Sequence, residues 1–550
     1  MALSTAQVWE VRGSGSDSNG GGFKAGATGT DRSQQDAAQV VIDNATITTS
    51  IAANVITFTG YTPTSADVGN VVQMATGTNV TAGFYEITAQ TPTTWTVTGA
   101  AALPTSGTTT NATGSMGGAL QTLGKLSGAM VASNKAFIKS GTYGITTGVT
   151  FAQTCSPSRT VPPTELVGYN ATRGDTVFGT GAANRPTIAT NAASLTALTF
   201  SGTGVIVRNL IVATGSSIPQ IGMLFSGGGH VCHNNKIANF SQYGVRVGGA
   251  TGGVATYNEI TGGVAATAAL STIFGAMGFS YNYIHDSAAV GIAGAGNGRI
   301  DGNVIANMSG ASSDGIQTIN SDAVTFNTIY NSGRHGIAIT NAAYENLWIK
   351  GNVLHSNGGF GLTHITGAGV EARPDWDGNA FYNNTSGSRN NLDDTSTNPA
   401  HGVAPYTNTL DVPLASPNDP LTNAAGGDFT LNATSGRGAL LRGTAPGAAL
   451  PGLTQAGYRD FGAFQSQPSG LTPAMFRVSP ARLVTRIVEV PRRRTVVIPG
   501  AATPVQVLLP TIRRTAYPRF PGGPRPRREA LIPAPAVVQS VVIKSTRPVR

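Results

Sequence analysis

Three stretches decide the fold: residues 303–319, NVIANMSGASSDGIQTI; residues 327–339, NTIYNSGRHGIAI; and residues 352–365, NVLHSNGGFGLTHI. Each opens on Asn, places Ile or Leu two positions later, and reaches a Gly followed by an apolar residue. Outward from these, the asparagine recurs at Asn209, Asn235, Asn258, Asn282, Asn303, Asn327, Asn352 and Asn379, in steps of 26, 23, 24, 21, 24, 25 and 27 residues. The Gly–apolar pair keeps the same beat at Gly222-Met223, Gly244-Val245, Gly291-Ile292, Gly315-Ile316, Gly336-Ile337 and Gly361-Leu362. The coil around Gly262 to Gly275 has no clear copy of it.

A regular period of this size marks a solenoid. The apolar residues alternate over three to five positions and stop at Gly or Asn, which is the signature of short strands and not of helices. One turn therefore holds two or three strands, and successive turns stack at the strand spacing of roughly 4.8 Å. Gly and Asn tolerate the backbone of the tight bends between them. Three positions before the asparagines stand Cys232, Ala255, Phe279, Ile300, Val324 and Ile349, and two positions after stand Ile237, Ile260, Ile284, Ile305, Ile329 and Leu354. These two sets are expected to stack inward. The asparagines themselves, Asn235, Asn258, Asn282, Asn303, Asn327 and Asn352 among them, are expected to form a structural ladder of side-chain amides.

The three stretches, with residues 235–247, NKIANFSQYGVRV, resemble the generic repeat of the right-handed parallel β-helix, pectate-lyase-like superfamily. The resemblance implies an all-β fold, a right-handed parallel β-helix, to which this chain is expected to add an inserted N-terminal small β module and a C-terminal extended Pro/Arg-rich arm. For a lyase of this superfamily it implies Ca²⁺-binding Asp/Glu with an Arg or Lys base; for a glycosidase it implies paired carboxylates a set distance apart. Ca²⁺ enters only under the lyase reading; otherwise no cofactor and no metal site is expected.

The boundaries follow from changes in pattern. Residues 1–37 read as an N-terminal strand and loop. Residues 8–23, VWEVRGSGSDSNGGGF, have their usual continuation only at residues 117–143, GGALQTLGKLSGAMVASNKAFIKSGTY. The interval 38–113 therefore reads as an inserted β module. Its phrases TPTSADVGNVVQM, GFYEITA and TWTVTG resemble a small module near the start of phage tailspike-like β-helix proteins. It is expected to lie beside the first coils and to be dispensable for their folding. Residues 114–467 read as the β-helix, closed at its end by a strand and cap at DFTLNATSGRGALLRG and YRDFGAFQ.

Residues 468–550 differ in kind. From 469 on, 15 Arg and Lys face two Glu, so this arm carries about +13. The whole chain carries +9, which leaves the body near −4. Prolines interrupt β-branched runs such as RLVTRIVEV, RTVVI and PVQVLL, too apolar for a solvated linker. Such runs suit an arm that docks by strand addition. Arg492, Arg493, Arg494, Arg513 and Arg514 are its candidate assembly residues. Aromatics are sparse and no nucleic-acid motif is present, which argues against a nucleic-acid partner.

Charged residues make up 11% of the chain and Gly numbers 72, a composition suited to a β-solenoid. Two cysteines make no disulfide framework. The first residues, MALSTAQVWEVRGSG, have neither a basic n-region nor an apolar h-region, so no Sec signal peptide is expected. No apolar run reaches membrane-spanning length. The expected location is a virion, with synthesis in the host cytoplasm.

Three groups of polar residues should stack in adjacent coils. Asp314, Arg334 and His335 form the candidate catalytic group. His285 with Asp286, Tyr330 and His355 form a second, and Arg299, Asp301, Trp348 and Lys350 a third. Tyr243, Gln317, Tyr330 and Trp348 are candidates for a carbohydrate-binding face. The reading favours a virion structural protein, tailspike-like or capsid-surface, that presents a host-surface polysaccharide-binding face. Its partners would be other virion proteins or its own copies, a trimer being one form. The alternative is a polysaccharide lyase or glycoside hydrolase.

Overall fold

In the computed structural model each coil contributes three short strands, one to each of three parallel sheets. The structure describes residues 3–463 except 5–6, 53, 78–79, 100–102, 104–110, 156–161, 176–183, 249–251, 265–266, 273–277, 295–297, 319–321, 341–346, 366–377, 391–411, 415, 443–459 and 461. Beyond 463 it describes 493–496 and 505–508. The first sheet runs from Gly22–Lys24 and Gln7–Val11 through Lys135–Lys139 to Trp348–Lys350. The second runs from Gly141–Ile145 to Val412–Leu414, and the third from Val149–Phe151 to Gly387–Asn390. The chain is a parallel β-helix.

The alternation of each strand sorts its residues into core and surface. On the first sheet Cys232, Ala255, Phe279, Ile300, Val324 and Ile349 pair in register and face inward. On the second, Ile237, Ile260, Ile284, Ile305, Ile329 and Leu354 do the same. All twelve are at most 1% exposed. Burying each of the larger ones stabilises the fold by about 1.5–3 kcal/mol. On the third sheet Val245, Leu270, Ile292, Ile316, Ile337 and Leu362 complete the core. Leu270 fills the coil that lacks the Gly–apolar phrase. The glycine of that phrase has a steric cause: a Cβ on Gly291 would stand 2.4 Å from the Gly315 carbonyl oxygen and 2.6 Å from Ile305 Cγ2.

The bend between the first and second sheets repeats in the coils from Cys232 on. The residue before each ladder asparagine lies in the left-handed region, at Asn234, Tyr257, Tyr281, Gly302, Phe326, Gly351 and Gly378. Each asparagine then bonds across coils. Asn258 Nδ2 donates to the Cys232 carbonyl at 3.0 Å and to Asn282 Oδ1 at 2.9 Å, while its backbone N–H donates to the same Asn282 oxygen at 3.0 Å. The pattern continues through Asn303, Asn327, Asn352 and Asn379. Asn209 is not a rung. Arg208 pairs with His233, which sets Asn209 opposite Asn234 and puts Leu210 at the ladder position. Leu210 donates its backbone N–H to Asn235 Oδ1 at 3.0 Å. Adjacent asparagines at 234 and 235 hide this one-residue offset in the sequence.

Three boundaries differ from expectation. First, Gln7–Val11 pairs in parallel with Lys135–Lys139, so the solenoid begins before the insert and not at 114. Second, the insert is a seven-stranded antiparallel sheet between Val40 and Met116 with its own core of Ile51, Ile56, Tyr85 and Trp95. One of its residues, Val71, sits fully buried in the solenoid's core with Trp9 and Leu120. Phe84 packs edge-on against Trp9 at 5.3 Å. The module thus covers part of the first coil's apolar interior.

Third, the segment expected to close the end covers a side. Leu421–Asn423 and Asp428–Leu431 form an antiparallel pair. Leu421, Phe429, Leu431 and Leu441 pack on Val304, Ala306, Val353, Ala380 and Tyr382. Those residues flank the inward Ile305, Leu354 and Phe381, so they lie on the outer face of the second sheet.

Residues 473–550 divide from the rest of the chain as a second unit. It contains an antiparallel pair, Arg493–Val496 with Val505–Leu508. Of the candidate arm residues, Arg493 and Arg494 lie in that first strand; Arg492, Arg513 and Arg514 lie outside the described residues.

Candidate functional site

Among the described residues, the second sheet carries an open outer face in the coils that precede the covered stretch. Because Ile260 and Ile284 point inward, their neighbours point outward. Lys236, Glu259 and Tyr283 pair in one column, and Thr261 and His285 in the next. Lys236 Nζ lies 2.7 Å from Glu259 Oε1. His285 Nε2 stands 3.5 Å from the same oxygen, and His285 Nδ1 lies 2.7 Å from Asp286 Oδ2. Tyr283 and His285, two apart on one strand, stack with ring centroids 4.1 Å apart at 20°. Tyr281 and Tyr283 straddle the ladder residue Asn282, and each is 38% exposed. Phe429 of the side cover approaches Tyr283 at 6.4 Å and bounds the face.

The electrostatics are those of paired charges. His285, its Nε2 3.5 Å away, is the main influence that holds Glu259 down to about 2, against the opposing effect of burial and with help from Lys236. Asp286 is lowered by His285 and by Asn307. Burial opposes charge on His285, but its bonds to Glu259 and Asp286 outweigh burial and raise its pKa. Both carboxylates are therefore held ionised, and the imidazole holds its proton more tightly than an ordinary one. A glycosidase needs one carboxylic acid with a raised pKa. This cluster provides none. What it offers is an exposed aromatic plane rimmed by ordered polar groups.

Beyond His285 the chain turns toward the third sheet through a second left-handed position, occupied by Asp286, Asn307 and Asn331 in successive coils. Asn307 Nδ2 donates to Asp286 Oδ1 at 2.9 Å, and Asn331 Nδ2 donates to Asn307 Oδ1 at 3.0 Å. Of this outer row only Asp286 was singled out from the sequence; Asn307 and Asn331, like Glu259, Lys236 and Tyr283, were not. The signal was present: once Asn282 is a rung and Ile284 is inward, positions 283 and 285 must face out.

The candidate catalytic group is brought together and is spent on structure. Asp314 is fully buried. Arg334 grips it with two bonds, Nε to Oδ1 at 2.8 Å and Nη2 to Oδ2. Gln317 Nε2 adds a bond at 2.9 Å and the His335 backbone N–H one at 3.1 Å. The bond to Asp314 raises the Arg334 pKa. Burial lowers that of His335, whose Nδ1 accepts the Phe360 N–H at 3.0 Å. Both oxygens of Asp314 are occupied, so it has no position from which to reach a substrate.

The four residues expected on one carbohydrate-binding face stand on three sheets. Tyr243 and Gln317 are on strands of the third sheet, Tyr330 on the second and Trp348 on the first. Tyr243 lies under Arg246, Gln317 is bound to Asp314, and Tyr330 packs on Phe429. Trp348 is 53% exposed, in register with Ala323 and Arg299. In its neighbouring column Asp301 receives Arg299 Nη2 at 3.0 Å and Thr325 Oγ1 at 2.6 Å. His355 shares a column with Tyr330 but is buried beneath the side cover, where its Nε2 lies 3.0 Å from Asp419 Oδ1.

Among the described residues no group of three or more His, Cys, Asp or Glu could hold a metal ion. Among them, too, no helix is long and apolar enough to cross a membrane.

Residues 221–387 match the family described as the right handed beta helix region. No curated protein matches the chain. Among solved structures it is similar to pectate lyase Pel9A, at 13% identity over 64% of this chain and 92% of that one, with a TM-score of 0.43. It is similar also to the PL6 family polysaccharide lyase Pedsa3628 from Pseudopedobacter saltans, at 11% identity over 55% and 92%, TM-score 0.30. A third is the catalytic domain of a GH87 α-1,3-glucanase in complex with nigerose, at 11% identity over 68% and 86%, TM-score 0.31. These likenesses concern the fold.

Proposed function

We propose that this β-helix binds a glycan on the outer face of its second sheet, without cleaving it. One observation carries the reading: the half-exposed Tyr283 ring stacks on an imidazole held between Glu259 and Asp286. A pyranose presents C–H bonds to an aromatic face and hydroxyls to the groups around its edge. Convergent aromatic and polar groups of this kind are what a small-ligand site requires. The saturated Asp314 and the ionised Glu259 and Asp286 argue against catalysis at either cluster.

The wider role we propose is that of a virion component that displays this face, joined to other virion proteins or to its own copies through the basic arm. The arm's charge and its β-branched runs support that part of the reading. Incubation with a panel of acidic and neutral polysaccharides tests the first part: binding without new reducing or unsaturated ends is expected, and either kind of new end would replace it with the enzyme reading. Truncation after Gln467 tests the second. The truncated protein should stay folded and keep its glycan but fail to join an assembly, and one that assembles like the parent would remove the arm's role.

A further inference from the structure

The geometry around Tyr283 also constrains how a ligand would lie, given that this face binds a glycan. The side cover closes the outer face of the second sheet from Val304 onward, with Phe429 at its edge beside Tyr283. A chain resting on Tyr283 and His285 cannot continue straight up that sheet. Among the described residues the open path is the corner beside it, where Asp286, Asn307 and Asn331 stand one above another.

Asp286 and Asn331 are exposed and Asn307 is half-buried. Each asparagine amide in the row gives one N–H to its neighbour and has a second N–H and a lone pair in reserve. The rungs repeat at the coil spacing of about 4.8 Å, of the same order as the advance of one pyranose along an extended chain. The charge balance narrows the ligand further. Lys236 and His285 are already held by Glu259 and Asp286. Beyond these mutually balanced charges the row presents the amides of Asn307 and Asn331, which match hydroxyls better than carboxylates or sulfates.

We infer that the ligand is an extended, unbranched, neutral polysaccharide lying along the solenoid axis, one sugar on Tyr283 and His285 and the following sugars on the Asp286–Asn307–Asn331 row. Every added sugar up to the length of the row meets another rung, so affinity should climb with chain length and then level off.

The test is calorimetric titration of the full chain with linear gluco- and manno-oligosaccharides from disaccharide to octasaccharide, with oligogalacturonates as the acidic series. Neutral oligomers should bind with affinity that rises and then plateaus. Tyr283→Ala should lose binding at all lengths. Asn331→Ala should weaken the long oligomers by about tenfold, the equivalent of one lost hydrogen bond, and leave the disaccharide unchanged. If Asn331→Ala binds every length like the parent while Tyr283→Ala does not, the axial path is wrong and the glycan site stands. If only the acidic series binds, the neutral class is wrong. If no oligosaccharide binds the parent, the glycan reading itself fails.

Discussion

Asn303 Nδ2 donates to Asn327 Oδ1 at 2.9 Å, and the same oxygen accepts the backbone N–H of Asn303 at 2.9 Å. One side chain thus satisfies two donors of the coil before it, while its own Nδ2 donates to the Ile300 carbonyl at 2.9 Å. Asn327→Ala leaves the Asn303 N–H and the Ile300 carbonyl buried without that partner. At about 1–3 kcal/mol for each group, the loss should be roughly 2–6 kcal/mol. Urea denaturation measures it; a variant within experimental error of the parent would mean that water replaces the rung.

Ile305→Asp places a charge in the second inward stack, between Ile284 and Ile329. An unpaired carboxylate there should cost several kcal/mol. Thermal melting is the check. A melting curve that overlays the parent's would show that the inward register is misassigned.

Arg334→Leu should destabilise by about 3–5 kcal/mol, because it strands the buried Asp314 carboxylate. The double variant Asp314→Leu with Arg334→Leu should recover much of that loss. Denaturation midpoints of the three proteins decide it. If the double variant is no more stable than Arg334→Leu, the remaining bonds to Asp314 from Gln317 and the His335 backbone matter more than the ion pair.

Burial pushes the His230 pKa down from 6.5 to about 4. As pH falls below 6.5 the unfolded chain takes up a proton that the fold refuses. Stability is therefore lost between pH 6.5 and about 4, by up to about 3 kcal/mol from this residue. His230→Leu, which can keep an apolar contact with Phe225, should flatten that limb. Glu259 acts lower: its contribution is present above 4.5 and drains as pH falls toward 2. A stability profile unchanged by His230→Leu would assign the acid limb elsewhere.

Deleting residues 38–113 should lower the melting temperature and expose Trp9, which Phe84 and Val71 of the insert help to shield. A red shift and easier quenching of tryptophan emission report it, once corrected for the loss of Trp95. Emission and melting equal to the parent's would return the module to a surface excursion.

What could be read from the sequence was what is local in it. The inward stacks and the asparagine rungs depend on alternation within one strand and on a beat of about one coil, both visible as letters. The offset at Asn209 was hidden because the pair Asn234-Asn235 fits the beat either way. The side cover was hidden because the residues it buries, Val304 and Val353, occupy outward positions that look like surface. The cluster around His285 was only half legible. His285 and Asp286 are adjacent, but Glu259 stands one position after its asparagine and His285 three after its own. Only the side-chain reach between neighbouring columns brings them together.

The pairing of Val8 with Lys135 has a consequence for the order of events in folding. The coils from Val205 on each close on about two dozen residues, but the first strand must wait for the chain to pass through the whole insert. A loop about five times longer costs roughly 1.4 kcal/mol more to close, at about 0.6 kcal/mol per doubling. During synthesis from the N-terminus, Gln7–Val11 has no parallel partner until Lys135–Lys139 emerges. The insert, whose strands pair among themselves, can be complete by then. The module would thus serve as a foundation laid before the solenoid's first turn is closed upon it, and elongation would proceed coil by coil from that seated end.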